Sequence, residues 1–290
     1  MLQMVRGISI IVIALLCVSC DSFEMKGFIA PTSDVVNKRF EKSMLLSDNK
    51  AIDVIKADES YTFYVCTDPH IEGSYNNLRE FSTRLRNDSH ASFGVVLGDC
   101  QDGRNNLPKY IEAIEYIDDV QSKNLPIFSL IGNHDIYFNG WNEFSSLIGP
   151  SVYWFELKYA KGRDIFIVLD SASGTLGGKQ MSWLREFLSS ERDKYRHCFV
   201  LTHTNIFYTD NSQLASGCMN LEETALLSDL FNRHKVTLCL QGHDHYRDDI
   251  MLGGVRYTIV GTINDEALNA EYLIVQVSNS GIEYHWKYIK

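Results

Sequence analysis

From Tyr61 onward, short apolar runs alternate with stretches of helical spacing. Tyr61–Cys66 (YTFYVC), Phe93–Leu97, Ile127–Ile131, Cys198–Leu201 and Val236–Leu240 read as buried strands. Between them, Leu78–Arg86, Leu107–Val120, Trp141–Ile148, Met181–Ser190 and Leu221–His234 place apolar residues three and four apart, as a helix packed on one face requires. Pro108 falls in the first turn of the second of these, where a missing N–H costs nothing. Tyr153–Tyr159 and Asp164–Leu169 read as paired strands. Then the helical spacing stops. Asp249–Met251, Val255–Val260, Tyr272–Val277 and Glu283–Ile289 read as strands joined by Gly-Gly, Asn-Asp and Asn-Ser-Gly turns, a β-meander. The pattern predicts one α/β domain over residues 57–290, with no linker inside it and no internal repeat.

The first 56 residues differ. Arg6 precedes the apolar run Ile8–Leu16, and Cys17-Val18-Ser19-Cys20 follows. A basic start, a short apolar core and a small residue before a cut site describe a secretory signal. The run is too short for a comfortable membrane span; an anchor helix is the alternative. A cysteine directly after the small residue resembles a bacterial lipoprotein signal. That resemblance implies a segment 1–20 ending at a lipidated Cys20, and a mature chain exported to the cell envelope and anchored to a membrane. The segment departs from the pattern at Cys17, where such signals usually carry leucine. Residues 21–56 read as an N-terminal extension. Within it Val35–Leu46 has the spacing of a short amphipathic helix, against a tether packed loosely on the domain.

Composition narrows the partners. With 290 residues, 45% of them hydrophobic, the chain can bury one sizeable core. A formal charge of −10 argues against a nucleic-acid duplex as partner, since such binders carry a basic face. It is compatible with a site rich in metal-binding carboxylates. Seven cysteines leave an odd number after the signal, with no repeating spacing, so no disulfide framework is expected. Cys66, Cys198 and Cys239 sit in apolar runs, where a thiol behaves as a small buried hydrophobe.

The chemistry lies where the strands end. Asp68-Pro69-His70 follows the first strand, Gly98-Asp99 the second and Gly132-Asn133-His134-Asp135 the third. Thr202-His203-Thr204 and Gly242-His243-Asp244-His245 follow two later ones. Each alone is a common strand-end residue or helix cap. Together they place ligand-type groups at one topological position five times, at the edge where open α/β sheets bind ligands. Carboxylate, amide oxygen and imidazole suit divalent Mn, Fe or Zn. There are too many donors for one ion, which suggests two.

In order, Asp-x-His, Gly-Asp, Gly-Asn-His-Asp, His and Gly-His-x-His resemble the calcineurin-like metallophosphoesterase superfamily, from Asp68 to His245. The resemblance implies a four-layer α/β/β/α sandwich with two metals at the strand ends. Asp68, His70 and His245 would hold one ion; Asn133, His203 and His243 the other; Asp99 would bridge them. His134 would meet the phosphate or the leaving oxygen, and Asp102 would orient His134. Asp135 would support its loop. The fourth block departs from the frequent His-x-Pro, reading His203-Thr204-Asn205. Asp102 stands where purple acid phosphatases carry a tyrosine ligand, so their iron-tyrosinate chemistry is not expected. Arg104, close to the second block, reads as a solvated arginine, with contact to phosphate the alternative.

The implied activity is hydrolysis of phosphate mono- or diesters on small molecules or lipids. Two cations about 3.5–4 Å apart can share a hydroxide that attacks phosphorus in line. Cleavage of a nucleotide or nucleotide-sugar pyrophosphate is the alternative within enzymes. A non-catalytic envelope lipoprotein that binds metal or phospho-ligands is the alternative outside them. The aromatic stretches Tyr137–Trp141 and Ile206–Tyr208 are either specificity elements or ordinary loop packing. His90, His197, His234 and His285 read as structural or surface residues.

Overall fold

Side chains of the central strands divide by parity between two cores. In Tyr61–Cys66 every residue is buried. Tyr61, Phe63 and Val65 enter a core that also holds Phe93, Val95, Phe155, Phe166, Phe199, Leu238 and Leu240. Tyr64 and Cys66 face the other way, onto Leu78, Phe81, Leu85, Tyr110 and Ile117. This two-residue period is what a strand covered on both faces requires.

The computed structural model describes residues 33–101, 107–121, 125–207 and 218–289. The elements are α1 (Ser33–Leu46), β1 (Val54–Lys56), β2 (Tyr61–Cys66), α2 (Asn76–Asn87), β3 (Ala91–Val96), α3 (Leu107–Gln121), β4 (Ile127–Ser129), α4 (Asn133–Ile136), α5 (Trp141–Leu147), β5 (Tyr153–Tyr159) and β6 (Gly162–Val168). There follow α6 (Gly177–Glu191), β7 (Cys198–Leu201), α7 (Leu221–Arg233), β8 (Leu238–Gln241), β9 (Asp248–Leu252), β10 (Val255–Ile259), β11 (Glu271–Ser278) and β12 (Gly281–Tyr288).

They form a seven-stranded sheet, β1-β5-β6-β7-β8-β10-β9, and a five-stranded sheet, β12-β11-β2-β3-β4. The shared core lies between the sheets. Helices α6 and α7 cover the outer face of the first sheet, α2 and α3 that of the second. The expected α/β/β/α layering is therefore observed. Strands β2, β3 and β4 run parallel, as do β6, β7 and β8. Within each sheet their carboxyl ends share one edge, and the functional site is built there.

One feature differs from the expectation. The C-terminal strands are not one meander. The β9–β10 hairpin joins the seven-stranded sheet with β10 beside β8, and β11–β12 joins the five-stranded sheet with β11 beside β2. Turn residues specify each hairpin but not the sheet edge it joins. Upstream of residue 57 the described residues from Ser33 are also packed, and of the two readings of Val35–Leu46 the helix is observed, as α1. β1 pairs with β5, Val54 opposite Glu156, and is too short and exposed to show an alternating pattern. α1 buries Val36 and Phe40, with Phe40 against Trp183 at 5.9 Å, while Lys179 donates its backbone N–H to Asn37 at 2.9 Å. The signal segment and Cys20 lie outside the described residues. Among the described residues no helix is long and apolar enough to cross a membrane, and Cys66, Cys100, Cys198, Cys218 and Cys239 are free thiols.

Candidate metal centre

At the strand ends the backbone turns abruptly. Asp68, His70, Asp99, His243 and His245 all have positive φ, between 41° and 74°. Among the described residues only five other non-glycine positions do so, which concentrates left-handed backbone at the expected ligands. Asp, Asn and His tolerate this region better than most residues, yet each instance still costs on the order of 1–3 kcal/mol and clusters at functional sites. Close approach accompanies the turns. A Cβ on Gly132 would lie 2.1 Å from Asp99 Oδ1, and one on Gly98 would lie 2.8 Å from His203 Nδ1.

Each buried carboxylate has one oxygen tied down and one turned toward imidazoles. Asp68 Oδ2 accepts the Thr67 hydroxyl at 2.6 Å and the His243 N–H at 3.0 Å. Its Oδ1 is buried without a hydrogen-bond partner, 3.3 Å from His245 Nε2 and 3.7 Å from His70 Nε2. Asp99 Oδ1 accepts the His134 N–H at 2.8 Å. Its Oδ2 faces His203 Nε2 at 3.2 Å and His70 Nε2 at 3.8 Å. One oxygen thus addresses both histidine groups.

The imidazoles are oriented in the same manner. His203 Nδ1 lies 2.9 Å from the Leu97 carbonyl, which can only accept, so Nδ1 carries the proton. In the neutral ring the Nε2 lone pair then points at Asn133 Oδ1 at 3.0 Å, and His243 Nδ1 lies 3.3 Å away. His70 and His245 oppose Nε2 to Nε2 at 3.1 Å. Carboxylate oxygens, an amide oxygen and ring nitrogens converging at these distances, with Asp68 Oδ1 otherwise orphaned, fit the donor set of divalent cations. Among the described residues three sets have donor atoms mutually close enough to hold an ion: Asp68, His70 and His245; His70, Asp99 and His134; Asp99, His203 and His243.

The field of the carboxylates is strong. Burial opposes charge on His203, yet Asp99 and Asp68 hold its pKa up at about 9. Burial likewise opposes ionisation of Asp68 and Asp99, but His203 in particular keeps both below the usual carboxylate range. Burial and the charge of Asp99 push Asp135 up to about 7. A divalent cation would be drawn by the same field and would compete with the His203 proton.

All seven expected ligands are brought together, and His134 stands with them, its ring 4.7 Å from that of His70. Asp135 bridges two loops, accepting Gln101 N–H at 3.0 Å and Gly132 N–H at 2.8 Å. Asp102, Arg104 and Tyr208 lie outside the described residues. Ile206 is buried in, and Phe207 half-buried against, the core that α7 covers. His90 is exposed, and His197 is half-buried with its pKa lowered by that burial. Sequence reasoning missed Thr67, and also Ser171, whose Oγ accepts the His203 N–H at 3.0 Å. The signal for Ser171 was available: Asp170-Ser171 follows the apolar end of β6, as the recognised clusters follow theirs.

The sequence model of the calcineurin-like phosphoesterases matches residues 61–247. Among solved structures, a dimetal phosphatase from Danio rerio superposes with a TM-score of 0.59 at 14% identity, over 79% of this chain and 99% of that one. GAP50, the anchor in the inner membrane complex of Plasmodium, superposes with a TM-score of 0.64 at 16% identity, over 80% and 86%. The purple acid phosphatase PPD1 from yellow lupin seeds gives 0.57 at 14%, over 80% and 52%. At such identities the likeness is one of fold. No curated protein matches the sequence.

Proposed function

The chain belongs to the calcineurin-like phosphoesterase family and is a metal-dependent phosphoesterase, and from that premise we propose that it hydrolyses phosphate mono- or diesters of small molecules or lipids at a two-metal centre. Asp68, His70 and His245 would hold one ion, Asn133, His203 and His243 the other, and Asp99 would serve both. The observation that carries the reading is the placement of Asp99 Oδ2, within 3.2 Å of His203 Nε2 and 3.8 Å of His70 Nε2 while Oδ1 is held by the His134 backbone.

Two divalent cations, when bound, supply Lewis-acid polarisation of the phosphoryl group and a nucleophile at neutral pH. The protein's residues supply the rest. Asp68 and Asp99 are buried yet keep low pKa values, and their charge would draw the cations. His134 is half-buried beside His70 and Tyr137, where its ring can donate a proton to the leaving oxygen. Such proton donation is worth about 10²–10⁴-fold. In the same reading Asp102 would orient that ring. The signal pattern ending at Cys20 supports export and a lipid tether to the cell envelope.

The test is direct. The mature chain with Mn²⁺ should turn over p-nitrophenyl phosphate or its bis-ester, and a panel of phosphorylated metabolites, lipids and nucleoside-diphosphate sugars then assigns the leaving group. Asp99→Asn should abolish turnover almost completely. An unchanged rate in that variant would remove the two-metal assignment.

A further inference from the structure

The main chain that carries His203 is held from behind by another strand end. β6 finishes at Val168, and Ser171 follows. Its Oγ accepts the His203 N–H at 3.0 Å and the Thr204 N–H at 2.9 Å, and its carbonyl accepts the Thr204 hydroxyl at 2.8 Å. These three residues are buried. The His203 ring is fixed by the Leu97 carbonyl and its main chain by Ser171.

Ser171 is in turn fixed through Asp170. The Asp170 carboxylate is fully buried and meets Arg39 of α1 in a two-point contact: Nε donates to Oδ2 at 2.7 Å and Nη2 to Oδ1 at 3.0 Å. Ser151 Oγ donates to Oδ2 at 2.8 Å, and Arg39 Nη2 also reaches Ser173 Oγ at 3.0 Å. Gln180 clamps the Asp170 main chain, accepting its N–H at 2.9 Å and donating to its carbonyl at 3.0 Å. Arg39 is 1% exposed. Burying such a pair is costly unless its hydrogen-bonding sites are met, and it contributes little net stability over an apolar equivalent. What it does contribute is geometry. A guanidinium fork fixes a carboxylate in position and angle, and that carboxylate belongs to the residue covalently joined to Ser171.

We infer that Arg39 is a positioning residue for the metal centre: through Asp170 and Ser171 it sets where His203 stands, and so controls the affinity of the ion shared with Asn133 and His243. The inference rests on the reading of His203 as a ligand. It is selective. Asp68, whose free oxygen faces His70 and His245, is held instead by Thr67 and by Thr262, whose hydroxyl donates to the Asp68 carbonyl at 2.8 Å. Loosening α1 should therefore weaken one ion and spare the other.

The experiment is a Mn²⁺ titration of the full chain by calorimetry, with electron paramagnetic resonance to separate a spin-coupled ion pair from a single ion, and melting in chelator alongside. Arg39→Gln combined with Asp170→Asn keeps polar partners and leaves no unpaired charge. Ser171→Ala removes the last link. Both should bind one ion as the wild type does and the other about 10–100-fold more weakly, as outer-shell substitutions typically do. The coupled signal should give way to a single-ion signal at limiting Mn²⁺. Arg39→Lys, which keeps charge but loses the fork, should fall between and decides the matter if the double variant does not fold. Lys38→Ala, on the exposed side of α1, should change neither affinity. Lower melting temperatures with both affinities intact would mean that Arg39 serves packing alone, and the inference would be wrong. A wild type that binds no Mn²⁺ would overturn the assignment of His203 as well, which distinguishes the two failures.

Discussion

The side-chain amide of Asn133 donates to the hydroxyl oxygen of Tyr137 at 3.0 Å. Asparagine presents two ends of nearly equal size, and only the oxygen can bind a cation. With Oδ1 aimed at the His203 side, Nδ2 needs an acceptor opposite, and Tyr137 supplies it from the next turn of chain. Tyr137→Phe leaves that donor unpaired in a part-buried setting. The expected result is about a tenfold loss of Mn²⁺ affinity at one site, with the metal-free melting temperature nearly unchanged. Calorimetric titration reads the first and a thermal scan in chelator the second.

Gly132→Ala should damage the centre more severely. The added Cβ would lie 2.1 Å from Asp99 Oδ1 and 2.4 Å from the Asp99 nitrogen, distances no real carbon tolerates. Asp99 cannot yield without moving Oδ2, the oxygen that faces both histidine groups. A displacement of about 1 Å in a catalytic group can cost roughly 10²-fold in rate. The variant should fold, lose kcat to that extent or more, and bind fewer than two ions by elemental analysis. Wild-type kcat would show that the loop has slack that the close approach denies.

The site was legible because it obeys a local rule. Apolar runs of period two stop, and a ligand-type residue follows within a few positions, as at Asp68, Asp99, Asn133, His203 and His243. The supporting groups obey no such rule. Arg39 sits among Asn37, Lys38, Glu41 and Lys42, so its helix reads as having a solvated face, and only the distant Asp170 makes it a buried residue. Tyr137 was visible as an aromatic beside the third block, but its hydroxyl serves Asn133 only once α4 has formed. The fold divides likewise. Hairpins β9–β10 and β11–β12 were readable from their turns. Their assignment to different sheets depends on which partners, Cys239 or Val65, lie across from them, and that information is not local.

The core between the sheets offers a change that should leave the chemistry alone. Phe155, Phe166 and Phe199 lie opposite one another on three adjacent strands, with ring centroids 4.8 Å and 4.4 Å apart and rings nearly parallel. All three are fully buried. Phe166→Ala removes the middle ring and should cost about 3–5 kcal/mol through lost burial and a residual cavity. Denaturant unfolding would register the loss. Mn²⁺ affinity of the folded fraction should be unchanged, because the three rings lie in the core between the sheets and the ligands at the strand ends.

Asp265 should make stability depend on acid pH. α2 begins at Asn76 with no side-chain cap of its own and no acidic residue in its first turn. Asp265, from a loop near the other end of the sequence, supplies both. Its Oδ1 accepts the Asn77 N–H at 2.7 Å, and its Oδ2 accepts the Asn76 N–H at 2.8 Å together with the Ser74 hydroxyl. Partial burial works to raise its pKa, but the bonds from Ser74, Asn77 and Asn76 outweigh it, and the net shift is downward. A carboxyl with a lower pKa folded than unfolded stabilises the fold above the unfolded value, about 3.9, and loses that contribution as pH falls through the folded one. Asp265→Ala should therefore cost about 1–2 kcal/mol near neutral pH, as loss of a helix cap does. The gap between wild type and variant should close as pH falls below about 4. Chelator in every sample keeps metal loss from the acidic site out of the comparison. A gap that stays constant down to the acid-unfolded range would mean that the charge of Asp265 contributes nothing to the start of α2.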